Sequence, residues 1–112
     1  MEVTSAKELR EHIATRRITS AAATEGLFER IEAYEPVIGA YISTFKEEAL
    51  ARADEIDSKI ASGKQAGTLA GVAVAIKDNI CTNFGATTCA SKILKDFHCP
   101  YNATVVEKLL AA

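Results

Sequence analysis

The sequence has no tryptophan, one methionine, two prolines and no strong excess of either charge. With 13 Lys+Arg against 15 Asp+Glu, the net charge is −2, which disfavours a broad phosphate-binding surface of clustered basic residues. No apolar run reaches the roughly 18 residues of a membrane-spanning helix, and the N-terminus lacks the basic and apolar regions of a secretory signal. We therefore expect no membrane partner and a cytoplasmic location, or an organellar matrix if a transit peptide has been removed.

Cysteine is also sparse, and its positions follow no metal-binding or redox pattern. Cys81, Cys89 and Cys99 include no CxxC pair, so we expect free thiols rather than a disulfide framework. His98 precedes Cys99, but neighbouring side chains of an extended segment point apart. The sequence therefore predicts no metal site and no cofactor bound by this chain.

What is present is the composition of a folded domain, 48% hydrophobic and 25% charged over 112 residues. Apolar residues at helical spacing, together with capping residues, predict helices at about 6–16, 20–35 and 45–62 and a last helix from 103. Capping boxes begin at Ser5 and Thr44, and Asn102 is the expected cap of the last helix. We expect Pro36 to stop the second helix and Gly63 to end the third in a left-handed conformation.

The apolar run at about 70–77 is rich in small and β-branched residues, which is typical of a central strand covered on both faces. A shorter run at 37–42 also has a strand-like composition. Such strands need neighbours to take their N–H and C=O groups. We therefore predict an α/β fold, with N-terminal helices and the first strands of a mixed sheet flanked by helices. Residues 1–112 would be an incomplete N-terminal portion of one domain, unstable or self-associating when isolated.

Lys77 lies at the end of the predicted strand, on the face that also carries Asn79. In one interpretation the side chain extends into solvent from the strand end. In the other it is desolvated, which favours the neutral amine and lets it take a proton from a hydroxyl nucleophile, with Asn79 orienting it. The residues alone leave both interpretations open.

The segment 69–80, continued by 87–91 and 101–106, resembles the N-terminal part of the amidase signature family, and the helices follow in the same order. The resemblance implies that Lys77, in its Lys-Asp-Asn context, is the base of a Ser/cis-Ser/Lys triad that hydrolyses a carboxamide. In the family both serines lie downstream in a Gly/Ser-rich segment, and these 112 residues contain none. Ser62 and Ser91 stand in no glycine-rich turn and are assigned no catalytic role.

Within the family, the chain is most similar to the glutamine-hydrolysing subunits of tRNA-dependent amidotransferases. This implies glutamine as substrate, B and C subunits as partners, tRNA bound through a partner subunit, and ATP and Mg used by the complex rather than by this chain. The 112 residues alone should be inactive, because a base without its nucleophile forms no acyl-enzyme. Two alternatives stay open: a stand-alone amidase acting on another carboxamide, and a non-catalytic helical assembly module.

Overall fold

The computed structural model describes residues 5–112, which form two compact units. The first unit ends at Ala73 and the second is Val74–Ala112. Four α-helices and one 3₁₀ turn occur in the described residues: α1 (Ala6–Ala14), α2 (Ser20–Ile38), α3 (Lys46–Ala61), the 3₁₀ turn Lys92–Leu94, and α4 (Thr104–Ala111). The four predicted helices are therefore present, with different ends. None of the helices in residues 5–112 is long and apolar enough to cross a bilayer.

The N-termini of α1 and α2 follow the sequence prediction. Ser5 Oγ accepts the N–H of Glu8 at 3.1 Å, and Thr19 Oγ1 accepts the N–H of Ala22 at 3.0 Å. Each side chain satisfies a backbone donor that the first turn of a helix leaves without a partner. These starts are local features, and for that reason the sequence alone places them well.

Helix α1 ends at Ala14, two residues earlier than predicted, because Arg16 adopts a left-handed conformation with φ of 57°. The N–H of Arg17 then reaches the C=O of His12 at 2.9 Å, which closes the last turn. The Arg16 guanidinium donates to the C=O of Ile60 at 2.7 Å and of Ala61 at 3.3 Å. The Arg16 guanidinium therefore binds the carbonyl end of α3, where a cation is favourable.

The predicted end of α2 is wrong, because Pro36 lies inside the helix and does not stop it. Proline removes one backbone donor, but its fixed φ is compatible with a helix. The helix runs on to Ile38 and ends at Gly39, which is left-handed with φ of 62° and donates its N–H to the C=O of Glu35 at 2.8 Å. Consequently the start of the strand-like run 37–42 is helical, and the rest of it forms no strand.

Helix α3 packs against α2. It also accepts hydrogen bonds from the N-terminus of α2. The carboxylate of Asp57 accepts the N–H of Ser20 at 2.7 Å and that of Ala21 at 3.0 Å. The capping box predicted at Thr44 is not used, since α3 starts at Lys46 after Phe45 and no side chain caps it. Its other end agrees with the prediction: Gly63 has φ of 74° and closes the helix.

Gly71 provides a close contact within the first unit. It has φ of 80°, and a Cβ at this position would lie 2.5 Å from Ile13 Cδ1 and 3.0 Å from Ser20 Oγ. Ile13 and Ser20 are 2% and 1% exposed and are the largest fully buried side chains of the described residues. The backbone at Gly71 thus occupies space that a side chain would fill.

The central strand predicted at 70–77 does not form in the structure. Gly71 lies in a turn, and residues 72–77 carry no regular secondary structure. Residues 5–112 contain no strand that could accept a ladder of hydrogen bonds from this segment, and an extended segment without such a neighbour is not a sheet. The helical part of the predicted fold is confirmed, whereas the mixed sheet is not shown in this chain.

In the second unit, two segments that are distant in sequence lie side by side. The N–H of Ala103 donates to the C=O of Cys81 at 2.8 Å, and the N–H of Thr87 donates to the C=O of Phe97 at 2.9 Å. Asn102 does not cap α4, because its Oδ1 accepts the N–H of Asn83 at 2.7 Å. The side chain predicted as a helix cap instead ties these two segments together.

Candidate active site around Lys77

Lys77 opens a tight turn in the second unit. The N–H of Ile80 donates to the C=O of Lys77 at 2.9 Å, which fixes the backbone on which the amine is carried. The side chains of Lys77 and Asn79 are both exposed, and within the described residues no hydrogen bond joins them. Desolvation of the Lys77 amine and its orientation by Asn79 remain predictions, because residues 5–112 do not enclose this site.

Asp78, the next residue, is tied on both its main chain and its side chain. Its C=O accepts the N–H of Cys89 at 3.0 Å. One carboxylate oxygen accepts the N–H of Thr88 at 2.9 Å, and the other accepts the Thr88 hydroxyl and the N–H of Ala90, the latter at 3.3 Å. This set of hydrogen bonds from residues 88–90 to Asp78 is called the Asp78 clamp below. It fixes a loop beside the residue that carries the candidate base.

The hydrogen bonds of the clamp also set the charge state of Asp78. The Thr88 hydroxyl and then the Thr88 N–H stabilise the carboxylate, and these contacts hold the pKa of Asp78 below its usual range. Partial desolvation opposes the shift, while the N–H of Ala90 and the charge of Lys77 add to it. Asp78 is therefore an anion at neutral pH and accepts all of these donors.

Free thiols form a second cluster in this unit. Cys81, Cys89 and Cys99 are free in the structure, with Cys89 exposed and Cys99 buried, as the sequence predicted. A hydrogen bond with Cys99 raises the pKa of the Cys81 thiol, and partial desolvation acts in the same direction. The charges of Cys81 and Cys99 in turn raise the pKa of Tyr101. These effects favour the neutral thiol of Cys81, which is the less nucleophilic form.

No group of three or more His, Cys, Asp or Glu side chains in residues 5–112 is arranged to hold a metal ion. The two serines that the sequence analysis set aside have structural contacts. Ser62 Oγ donates to the C=O of Lys59 at 2.9 Å at the end of α3, and Ser91 precedes the 3₁₀ turn. Neither contact activates a hydroxyl as a nucleophile.

Lys77 is thus an exposed side chain on a turn that a backbone hydrogen bond fixes. Comparison with known proteins defines the class: the sequence pattern of the Amidase family matches residues 22–112. This match covers most of the chain, and the chain therefore belongs to the Amidase family.

Similar curated proteins narrow the comparison to one subunit within this family. The chain is 51% identical over 108 residues to the A subunit of glutamyl-tRNA(Gln) amidotransferase from Carboxydothermus hydrogenoformans, covering 96% of this chain and 22% of that protein. It is 50% identical over 105 residues to the protein of the same name from Natranaerobius thermophilus, covering 94% of this chain and 21% of that protein. The chain thus spans about a fifth of the length of these relatives.

Solved structures with the same fold come from a complex described as vestigial and as revealing the evolutionary origins of an s-triazine catabolic enzyme. The inhibitor-bound form superposes with a TM-score of 0.92 at 30% identity, over 97% of this chain and 24% of that chain. The other form gives 0.91 at 29% identity, over 96% and 24%. The arrangement of residues 5–112 is therefore the one found in part of these longer chains.

The sequence analysis singled out Lys77 and Asn79 but missed Asp78 between them. Nothing local marks Asp78, because its partners lie ten or more residues further on in a loop with no regular structure. The sequence offers only a weak sign that Asp78 is bound by a loop. Asp78 stands at no predicted helix start, and two threonines occur further along the chain at 87 and 88. A threonine offers both its N–H and its hydroxyl as donors that a carboxylate can accept.

Proposed function

We propose that the protein is the glutamine-hydrolysing A subunit of a Glu-tRNA(Gln) amidotransferase, and that this chain supplies its base, Lys77. The observation that carries the proposal is the 51% identity, over 96% of the chain, to a curated protein of that name. The segment that carries Lys77 lies within the part of the chain that matches the Amidase family.

The proposed chemistry uses Lys77 as a proton acceptor. The neutral amine takes a proton from one serine, which takes a proton from a second serine, and the second serine oxygen attacks the carboxamide carbon of glutamine. The C–N bond breaks, the proton passes to the leaving group, and ammonia departs. Water then hydrolyses the ester, which frees the serine and gives glutamate. Both serines would come from a part of the protein outside these 112 residues.

The geometry of the Lys77 turn fits this role. The backbone of Lys77 is fixed by the bond from Ile80, while its side chain is exposed and open to residues outside this chain. A base has to reach its hydroxyl partner within hydrogen-bond distance. A fixed backbone with an accessible amine allows that contact to form when the rest of the enzyme is present.

The proposal also covers the partners. A B subunit would activate Glu-tRNA with ATP and Mg and receive the ammonia, a C subunit would join the pair, and tRNA would bind through a partner. The location would be the cytoplasm, or an organellar matrix. These 112 residues alone would hydrolyse no glutamine, because they lack the two serines.

The test uses the full-length protein assembled with its B and C subunits. Lys77→Ala is compared with Lys92→Ala, which removes another exposed lysine of the same unit. Ammonia release from glutamine should fall about 10²- to 10⁴-fold in Lys77→Ala, the range attributed to a general base, and remain unchanged in Lys92→Ala. Transamidation of Glu-tRNA with added ammonium salt should persist in both. Normal glutamine hydrolysis by Lys77→Ala would refute the assignment.

A second candidate is a stand-alone amidase acting on another carboxamide, as the sequence allowed. The match to the Amidase family is compatible with this candidate as well. It requires hydrolysis of a simple carboxamide by the protein without B or C subunits. A non-catalytic assembly module would instead bind a partner and show no amide hydrolysis that depends on Lys77.

A further inference from the structure

We propose that Asp78 is a positioning residue for the base: the Asp78 clamp fixes the turn that begins at Lys77 and thereby holds the Lys77 amine where proton transfer needs it. This inference rests on the proposed function and extends it to a residue that makes no contact with substrate. It assigns the loop 88–90 a role in orienting the base.

The clamp fixes the backbone on one side of the peptide that follows Lys77, and the turn bond from Ile80 fixes the other side. The Lys77 C=O is held by the N–H of Ile80 at 2.9 Å, and the Asp78 C=O by the N–H of Cys89 at 3.0 Å. The Asp78 carboxylate then accepts the Thr88 N–H, the Thr88 hydroxyl and the Ala90 N–H. The bonds to the carboxylate are charge-assisted and therefore stronger than neutral ones. The backbone bonds and the carboxylate bonds therefore all meet at the adjacent residues Lys77 and Asp78.

The loop held by the clamp has a backbone that needs support. Cys89 and Ala90 are consecutive non-glycine residues with φ of 51° and 55°. L-residues with a Cβ rarely adopt this left-handed conformation, and it persists only where the surroundings enforce it. The N–H groups of both residues bond to Asp78. The shape of the loop therefore depends on Asp78, and loss of the clamp would release it.

The backbone position of Lys77 depends on these bonds. Within residues 5–112 no hydrogen bond holds the Lys77 amine, so the fixed backbone sets the point from which the flexible side chain extends. Lys77 and Asp78 are also close enough for their charges to interact, since Lys77 contributes to the lowered pKa of Asp78. Loosening of the clamp would change the position of the amine without removing any group that binds substrate.

Thr88 offers the sharpest test, because its hydroxyl can be removed at nearly constant shape. Thr88→Val deletes the donor to Asp78, whereas Thr88→Ser keeps it. Asp78→Asn removes the charge and leaves fewer acceptors for the same donors. All variants are made in the full-length protein with its B and C subunits, and glutamine hydrolysis is measured as kcat and KM together with the melting temperature.

For Thr88→Val we expect kcat to fall about 10- to 100-fold with KM within about twofold of wild type, as for a misplaced catalytic group. Thr88→Ser should restore kcat to within about threefold of wild type, which a general loss of packing would not do. Asp78→Asn should lower kcat at least as much as Thr88→Val. Ammonium-dependent transamidation should be retained in every variant.

Two results overturn the inference: Thr88→Val with wild-type kcat, or Thr88→Ser as impaired as Thr88→Val with equal loss of melting temperature. If Asp78→Asn fails to fold, the Thr88 pair still decides the question. Lys77→Ala separates this inference from the proposed function. An inactive Lys77→Ala beside a fully active Thr88→Val refutes only the role of the clamp, whereas an active Lys77→Ala refutes the proposed function and with it this inference.

Discussion

Replacement of Gly71 by alanine should destabilise the first unit more than any other glycine-to-alanine change in it. The new Cβ would lie 2.5 Å from Ile13 Cδ1, 3.0 Å from Ser20 Oγ and 3.3 Å from Ser20 Cβ. Contacts under 3.0 Å force a shift, and both neighbours are buried within the unit. The side chains therefore have little free space into which they can move.

The expected loss of stability has two parts. Alanine at φ of 80° costs about 1–2 kcal/mol of backbone strain, and overpacking of a buried site costs typically about 1–3 kcal/mol. Together they predict that Gly71→Ala lowers the free energy of unfolding by about 2–5 kcal/mol. A change of this size is a large fraction of the stability of a small domain.

Two other glycines provide matched controls. Gly63 has φ of 74° but nothing within 4 Å of an added Cβ, so Gly63→Ala should cost only the strain, about 1–2 kcal/mol. Gly26 lies inside α2 with an ordinary φ and open space around it, and Gly26→Ala should stabilise by about 0.5–1 kcal/mol. Urea denaturation followed by far-UV circular dichroism measures all three. If Gly71→Ala costs no more than Gly63→Ala, the contact with Ile13 and Ser20 has no energetic role.

Three further predictions concern single side chains. Asp57→Ala should lower the free energy of unfolding by about 1–2 kcal/mol, because the N–H groups of Ser20 and Ala21 at the start of α2 lose their acceptor, and a melt unchanged from wild type would contradict this. The lowered pKa of Asp78 stabilises the folded state above the ordinary aspartate range, and this stability is lost only as pH falls through the lowered value. NMR amide signals of the clamped loop should therefore stay constant through mild acid and shift only below it, and a shift at the ordinary value would argue against the clamp. Alkylation of the native protein, followed by peptide mass spectrometry, should modify Cys89 first, then Cys81, and Cys99 last. Equal rates would show that the thiol cluster does not form.

The starts of α1 and α2 were predictable from the sequence because their causes are local, whereas the caps expected at Thr44 and Asn102 are not used. Ser5 and Thr19 cap the residues three positions after them, and this spacing is visible without a structure. The left-handed residue at Gly63 was predictable for the same reason. Such features need only the neighbouring backbone, so they survive whatever the rest of the fold does.

The parts that sequence reasoning missed depend on distant contacts or on backbone geometry. Pro36 was expected to end α2, yet the helix closes only at Gly39. The buried residues of α2 are Ser20, Thr24 and Phe28. Two of the three are polar, so the spacing of apolar residues along the helix does not by itself identify the buried face.

The candidate site was predicted at the level of Lys77 and no further. Family resemblance placed the base, but the fixation of its turn depends on bonds between Asp78 and residues 88–90. The local sequence pattern around Asp78 gives no indication that its carboxylate binds residues about ten positions further on in an irregular segment. The strand predicted at 70–77 is not shown in residues 5–112 for a related reason, since a strand is defined by its neighbour as much as by its own residues.

Helix α3 is made last of the three helices of the first unit, and both earlier helices depend on it. Arg16, at the end of α1, donates to the carbonyls of Ile60 and Ala61, and the first two N–H groups of α2 donate to Asp57. A ribosome that has released only α1 and α2 has therefore exposed two helices whose facing ends still lack their partners. The ends of α1 and α2 should therefore stay without these partners until residue 61 has left the exit tunnel, and the unit should close fully only after Gly71, which packs against Ile13 and Ser20, has followed. Pausing of synthesis just before that point would lengthen the interval in which the nascent chain is open to chaperones and proteases.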